Sequence, residues 1–167
     1  MSKVLLLSRE KTLQKAKRMA YQILENNIGE NEVVMAGIGG EGYFLAEIVA
    51  GFLREISGMK VTLAKLSFDK EAPSQPDITI ESEVDTFRNK SVVIVDDVLN
   101  SGKTLAFCLR PFLSIPLRKL QVAVMVDRNH PRYPIKADFV GYSLSTTLSD
   151  HVQVILSDES QAGVYLF

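Results

Sequence analysis

Only one cysteine, Cys108, occurs in the 167 residues, so the chain can form no internal disulfide and no thiolate metal cluster. Two histidines, His130 and His151, are too few for a multi-histidine metal centre. Neither sign of charge is in excess: 19 basic against 20 acidic residues leave a formal net charge of −1. That balance excludes a protein held to nucleic acid or membrane by bulk charge. Long hydrophobic runs are missing as well. The apolar stretch from Val4 to Leu7 is too short for a signal-sequence core or a membrane span, so no membrane partner is expected and the cytoplasm is the expected compartment. Internal repeats and low-complexity segments are absent. What is present is ordinary for a folded domain, with 46% hydrophobic and 23% charged residues. Residues 1–167 read as a single domain, able to bury roughly 68–70% of the unfolded chain's surface.

Charge is uneven along the chain. Residues 1–20 hold six Lys or Arg against one acid, and residues 67–97 hold three bases against eight acids. Lys11, Lys15 and Arg18 recur at helical spacing, which suits a solvated helix face and equally a surface that meets phosphates or RNA.

Residues 9–28 place Leu13, Ala16, Met19, Ala20, Ile23, Leu24 and Ile28 at a period near 3.6, which predicts an amphipathic helix. Ser8 is its N-cap and Gly29 its stop. Val33 to Ile38 reads as a buried strand, Gly42 to Ile56 as a helix, and Val61 to Phe68 as a strand. Asp69 to Asp77, with Pro73 and Pro76, reads as a mobile loop, and Ile78 to Ile80 as a short strand beyond it. Val92 to Val95 is four β-branched residues in succession, the pattern of a strand covered on both faces. A helix is expected over Gly102 to Leu113, with Pro111 near its end, and a strand over Leu120 to Val126. A polar loop from Asp127 to Pro134 and strands at Phe139 to Leu144 and Val152 to Leu156 complete the reading. Alternating strands and helices predict an α/β fold with a mostly parallel sheet. Ligands in such sheets sit at the carboxyl ends of strands, which directs attention to the residues after Ile38, Val95 and Val126.

Two glycine-rich stretches compete for a phosphate. Gly37-Ile38-Gly39-Gly40-Glu41-Gly42 fits G-x-G-x-x-G between a strand and a helix. However, Glu41 puts a carboxylate where a dinucleotide's pyrophosphate would lie, and no acid clearly ends the next strand at the expected distance. A tight strand-to-helix turn explains several of these glycines as well. The second stretch ends in Gly102-Lys103-Thr104. A Walker A loop would need glycine at the position of Asp97, so a P-loop NTPase is excluded. What remains is a buried strand delivering Asp96 and Asp97, then Val98, Leu99, Asn100 and Ser101 before the helix opens at Gly102-Lys103-Thr104. Backbone N–H groups there, with the Ser101 and Thr104 hydroxyls, suit an anion. Adjacent carboxylates can accept hydrogen bonds from vicinal hydroxyls. A diol beside a phosphate describes a phosphorylated ribose, although a capped helix start with two solvated acids has the same residues.

This segment resembles the phosphoribosyl-pyrophosphate motif of type I phosphoribosyltransferases. Val126-Asp127-Arg128-Asn129-His130-Pro131-Arg132-Tyr133-Pro134-Ile135-Lys136-Ala137-Asp138-Phe139-Val140-Gly141 is similar to the branch that joins uracil phosphoribosyltransferase activity to attenuation of pyrimidine-operon transcripts, as is the core from Asp96 to Leu99. The likeness runs from about residue 33 to residue 157. It implies a mostly parallel central sheet flanked by helices, with a small hood region. It also implies that Asp96 and Asp97 hold the ribose 2′- and 3′-hydroxyls and meet Mg²⁺ only through substrate and water. Asn100 to Thr104 become the 5′-phosphate loop, with Val98 and Leu99 before it also binding substrate; Gly37 to Gly42 become the pyrophosphate loop, with Ile38, Gly39, Gly40 and Glu41 its substrate-binding residues, and Asp69 to Asp77 the flexible hood loop. Asp127 and Arg128 fall beside the nucleobase. The implied partners are phosphoribosyl pyrophosphate and a nucleobase, with Mg²⁺ as cofactor, in a homodimer or larger homo-oligomer.

Two positions depart from the resembled patterns. Gly39 and Glu41 stand where this branch typically has Lys and Arg, and Asn100 stands where purine-specific relatives carry an aspartate. An amide cannot act as a base, so Asn100 argues against a 6-oxopurine substrate and for a pyrimidine such as uracil. Glu41 is expected to oppose the charge that grows on the departing pyrophosphate, so that Glu41→Arg would raise kcat. The opposing expectation is that Glu41 points away while the N–H groups of Gly39 and Gly40 bind. Cys108 reads as a small core hydrophobe. His130 reads as a surface residue of its polar loop, with contact to the base or a phosphate as the other reading. A second functional reading is a nucleotide-sensing, RNA-binding attenuation regulator with little catalysis. Its RNA contacts would be Lys11, Lys15 and Arg18, with Arg132 and Lys136 as alternates.

Overall fold

Ser8 starts the first helix by satisfying its free N–H groups: its Oγ accepts from Lys11 N at 3.3 Å, and Thr12 Oγ1 donates to Ser8 O at 2.8 Å. The computed structural model describes residues 3–68 and 77–167. In chain order the elements are β1 (Val4–Ser8), α1 (Arg9–Asn26), β2 (Glu32–Ile38), α2 (Glu41–Ile56), β3 (Lys60–Phe68), β4 (Ile78–Ile80), β5 (Ser91–Leu99), α3 (Lys103–Leu109), β6 (Lys119–Asp127), β7 (Phe139–Ser143), β8 (Val152–Ile155) and β9 (Gly163–Leu166). Short 3₁₀ turns cover Val84–Thr86 and Arg110–Ser114.

The main sheet has the order β4-β3-β2-β5-β6-β7. Its pairs are parallel except β3 with β4 at one edge. Val33, Val34, Met35 and Ala36 on β2, and Val92 to Val95 on β5, are fully buried, as strands sandwiched between layers must be. One face packs α1 and α2 against the sheet through Met19, Ile23, Leu45, Leu53, Met35 and Val93. The other face gathers Ile94, Leu105, Cys108 and Phe112 around Phe87, whose ring meets Phe112 edge-on at 5.2 Å. A buried polar pair ties the layers together: Ser91 Oγ donates to Asn27 Oδ1 at 2.6 Å, while Asn27 Nδ2 donates to Ile23 O at 2.8 Å.

Three features differ from the reading of the sequence. The helix expected over Gly102 to Leu113 ends at Leu109 and continues as a 3₁₀ turn, because Pro111 has no N–H for the i−4 carbonyl. Strand β5 runs on past Val95 to Leu99, so Asp96 and Asp97 lie within the strand instead of following it. Strands β1 and β9 carry no period-2 pattern and go unpredicted; they pair with β8 in a second, antiparallel sheet of order β1-β9-β8. That sheet forms the small hood region. Residues 69–76, where the hood loop is predicted, lie outside the described residues. Among the described residues no helix is long and apolar enough to cross a membrane.

Cys108 is fully buried. Burial, with the nearby Asp96 charge behind it, pushes its thiol up to about 12. Below that pH the thiol stays protonated and shielded, and the thiolate is the reactive species. Native protein is therefore expected to resist iodoacetamide at pH 8 and to react fully in urea. Labelling in the native state at the rate of a free thiol would show that the α3 face is open.

Candidate active site

The carboxyl ends of β2 and β5 open onto one cleft of about 610 Å³, within the size range of small-molecule sites. The turn from Ile38 through Gly39 and Gly40 to Glu41 forms one wall. Asp96, Asp97, Val98, Asn100 and Thr104 form the floor. His151, Val152, Gln153 and Ser157 close the side nearest the second sheet. Leu99, Ser101, Gly102 and Lys103 line a small adjoining hollow together with Asp96 and Thr104. Asp127 and Arg128 border neither space among the described residues.

Each wall has a local cause. The first and last glycines of the Gly37–Gly42 motif let backbone meet backbone. A Cβ on Gly37 would stand 2.5 Å from Tyr43 Cα, and one on Gly42 would stand 3.0 Å from Val95 O and 3.1 Å from Asp96 Oδ1. The start of α2 is thereby laid against the carboxylates of β5. Successive strand residues alternate in direction: Asp96 is buried and its Oδ1 accepts from Asp97 N at 2.9 Å, whereas Asp97 is half-buried. Gly102 turns the chain at φ +83 and packs under Ile135. The loop after β6 props this turn, since Ser101 O accepts from Arg132 N and Tyr133 N at 2.9 and 3.0 Å, and Leu99 O from Arg128 N at 3.1 Å.

Glu41 lines the cleft with its carboxylate already engaged. Its Oε2 accepts from Leu156 N at 2.6 Å and from Ser157 N at 3.1 Å, and its Oε1 accepts from the Ser157 hydroxyl. These donors from beyond β8 hold the carboxylate on the side of the cleft nearest the second sheet. Gly39 N is engaged too, donating to Leu66 O at 2.9 Å. An anion here would be left with the first N–H groups of α2, which have no intrahelical acceptor.

Arg128 is likewise engaged by protein partners. Its Nε and Nη2 donate to Thr146 Oγ1 at 3.0 and 2.9 Å, its Nη1 to Asn100 Oδ1 at 2.8 Å, and its Nη2 also to Asp150 O at 2.7 Å and Thr147 O at 3.2 Å. The guanidinium is a brace between three segments. Asp127 Oδ1 accepts from Asn129 N at 2.8 Å, shaping its own turn. His130 Nε2 donates to Thr146 O, joining the same brace. Hydrogen bonds from Thr147, followed by the charges of Arg128 and His130, hold the Asp150 carboxyl below its ordinary range. Arg18 is anchored through Nη2 to Val140 O and Gly141 O at 2.8 and 2.7 Å, so it does not stand free beside Lys11 and Lys15. His151, Gln153 and Ser157 line the cleft without a sequence motif to mark them. Their place follows from β8 pairing with β9, which also sets His151 against the Phe167 ring at 6.3 Å.

A family model for the phosphoribosyl transferase domain matches residues 6–158. Curated relatives include Bifunctional protein PyrR of Macrococcus caseolyticus, 32% identical over 157 residues, covering 89% of this chain and 90% of that protein. PyrR of Streptomyces coelicolor is 37% identical over 149 residues, covering 85% and 77%. Among solved structures, a hypoxanthine-guanine phosphoribosyltransferase from Bacillus anthracis matches with a TM-score of 0.77 at 19% identity, covering 97% of this chain and 96% of that one. At that identity the likeness speaks for the fold.

Removing the Glu41 carboxylate should release Leu156 and Ser157 from α2. Glu41→Ala is expected to cost about 1–3 kcal/mol, the scale of hydrogen bonds to a charged group. Urea denaturation checks this, and a variant as stable as the parent would show that the three contacts contribute nothing.

Proposed function

The chain belongs to the type I phosphoribosyltransferase family, and on that premise we propose that its cleft transfers a phosphoribosyl group from phosphoribosyl pyrophosphate to a pyrimidine base, uracil, releasing pyrophosphate. The observation that carries this reading is the run from Asp96 to Thr104, which sets two carboxylates on the floor of the cleft and a left-handed glycine turn in the hollow that adjoins it. Asp96 and Asp97 hold the ribose hydroxyls. The turn from Asn100 to Thr104 holds the 5′-phosphate. Fixing the ribosyl group at both ends turns an encounter into an oriented reaction. The bond from C1′ to the pyrophosphate oxygen breaks as a ring nitrogen of the base bonds to C1′, and the nitrogen's proton passes to solvent. Carboxylates beside the ribose favour the positive charge that develops on it.

Mg²⁺ suits these donors. No group of three or more His, Cys, Asp or Glu among the described residues could hold a metal ion, whereas Mg²⁺ is commonly bound by one or two carboxylates, waters and substrate phosphates. When bound, it neutralises the diphosphate and eases its departure. Asp96 and Asp97 would contact it through water and substrate.

The word "bifunctional" in the names of the curated relatives supports a second activity, which we propose is binding of RNA on the resemblance of Val126 to Gly141 to the attenuating branch. With Arg18 anchored, Lys11 and Lys15 are its first contacts, and the exposed Arg132 and Lys136 the alternates. Self-association and a cytoplasmic setting belong to the same reading.

Asp96→Asn with Asp97→Asn is expected to abolish phosphoribosyl pyrophosphate binding in titration calorimetry with Mg²⁺ while the fold is retained; unchanged affinity would remove ribose recognition from this site. A nucleobase panel scored for pyrophosphate release should give uracil as the best acceptor, and release with purines alone would refute the pyrimidine assignment. Affinity for a pyrimidine-operon leader RNA should fall steeply with salt, because phosphate contacts release counterions. Charge reversal at Lys11, Lys15, Arg132 and Lys136 should flatten that slope. No binding at low salt would leave transfer as the sole activity.

A further inference from the structure

The turn after β5 is held in shape by another segment. Leu99 O accepts from Arg128 N at 3.1 Å, and Ser101 O accepts from Arg132 N and Tyr133 N at 2.9 and 3.0 Å. All three donors belong to the loop after β6. No peptide bond among the described residues is cis, and in a trans peptide the N–H points opposite to the C=O. Tying Leu99 O and Ser101 O to that loop therefore turns the N–H groups of Asn100 and Gly102 away from it. The hollow at this turn is lined by Asp96 and by residues between Val98 and Leu105, and by no described residue of the loop.

One side chain extends this hold to another part of the cleft. Arg128 Nη1 donates to Asn100 Oδ1 at 2.8 Å, while its other N–H groups are directed to Thr146 Oγ1, Thr147 O and Asp150 O. The Asp150 carboxylate fixes the same segment by accepting from Thr147 N at 2.7 Å. Asp150 precedes His151, which lines the cleft. A planar guanidinium spans the two segments with fixed geometry. Neither segment can shift without losing hydrogen bonds to a charged group, which are the strong ones.

Resting on the phosphoribosyl reading above, we propose that Arg128 is a positioning residue that couples the 5′-phosphate turn to the segment 146–150. An anion in the turn steadies the wall of the cleft at His151, and the braced wall keeps the turn shaped for the anion. Such coupling is reciprocal. It is carried by a contiguous set of hydrogen bonds, which distinguishes it from simple attraction of a phosphate by a positive charge.

Titration calorimetry with ribose 5-phosphate tests the proposal without relying on turnover. Arg128→Met should weaken ribose 5-phosphate by about tenfold, the scale of one hydrogen bond to a charged group. Arg128→Lys keeps the charge without the fork and should recover only part of that loss. Thr146→Val removes the acceptor for two Arg128 N–H groups at a residue that lines neither the cleft nor the hollow. It should weaken ribose 5-phosphate by about threefold even if the Arg128 variants fold poorly. In hydrogen exchange, ribose 5-phosphate should slow the Thr147 amide of the parent protein and leave that of Arg128→Met unchanged. Full recovery in Arg128→Lys, with parent affinity in Thr146→Val, would overturn this inference alone, because charge would then suffice. A Thr147 amide that exchanges equally fast in the free and the ribose 5-phosphate-bound parent protein would overturn it as well. Failure of the parent protein to bind ribose 5-phosphate would overturn the transfer reading and this inference with it.

Discussion

Two-sided burial of β5 is the constraint that creates the site. Val92 to Val95 have no solvent exposure, with β2 and β6 paired along their edges and helical layers above and below. A strand in that position tolerates polar side chains only where the covering layers end. In this chain that place begins at Asp96, buried but hydrogen-bonded to Asp97 N. The same burial brings the ends of β2 and β5 level, because Val33 to Gly37 pair in register with Ser91 to Val95. The turn at Gly39 and the run from Asp96 to Thr104 consequently meet at one cleft.

Apolar packing stops at the mouth of the cleft, and charged side chains hold the loops there. Glu41 gathers the N–H groups of Leu156 and Ser157, drawing the second sheet toward α2. Arg128 gathers Asn100, Thr146, Thr147 and Asp150. Both make several hydrogen bonds from one charged group, which is the arrangement in which such bonds contribute most. Exposed pairs such as Arg9 with Glu159 or Arg88 with Asp85 contribute little by comparison. Electrostatics here shapes the mouth of the cleft more than it stabilises the surface.

Much of the fold was legible in the sequence. The Ser8 cap, the β-branched run of β5, the helical period of α1 and the glycine turn before α2 are local patterns, each readable within a few residues. The run from Asp96 to Thr104 was legible as a strand end followed by a glycine turn and a helix start, which the structure places at the cleft and the hollow beside it. The tasks of Glu41 and Arg128 were not legible. Glu41 finds its partners 115 residues away, and its neighbours in the sequence point to a phosphate instead. Arg128 was expected beside the base, yet its partners are Asn100 and a loop with no motif, Thr146 to Asp150.

The sequence by itself determined most of the strands and helices of the main sheet and its layers, because periodicity, capping and turn residues act over short distances along the chain. Tertiary structure alone decided which way each charged side chain at the cleft faces. A carboxylate or guanidinium takes the donors or acceptors that folding brings within hydrogen-bonding reach of it, and sequence neighbours do not supply them. The pairing of β1 with β9, which joins the two ends of the described chain, decided that the hood is a sheet and that His151 and Gln153 line the cleft.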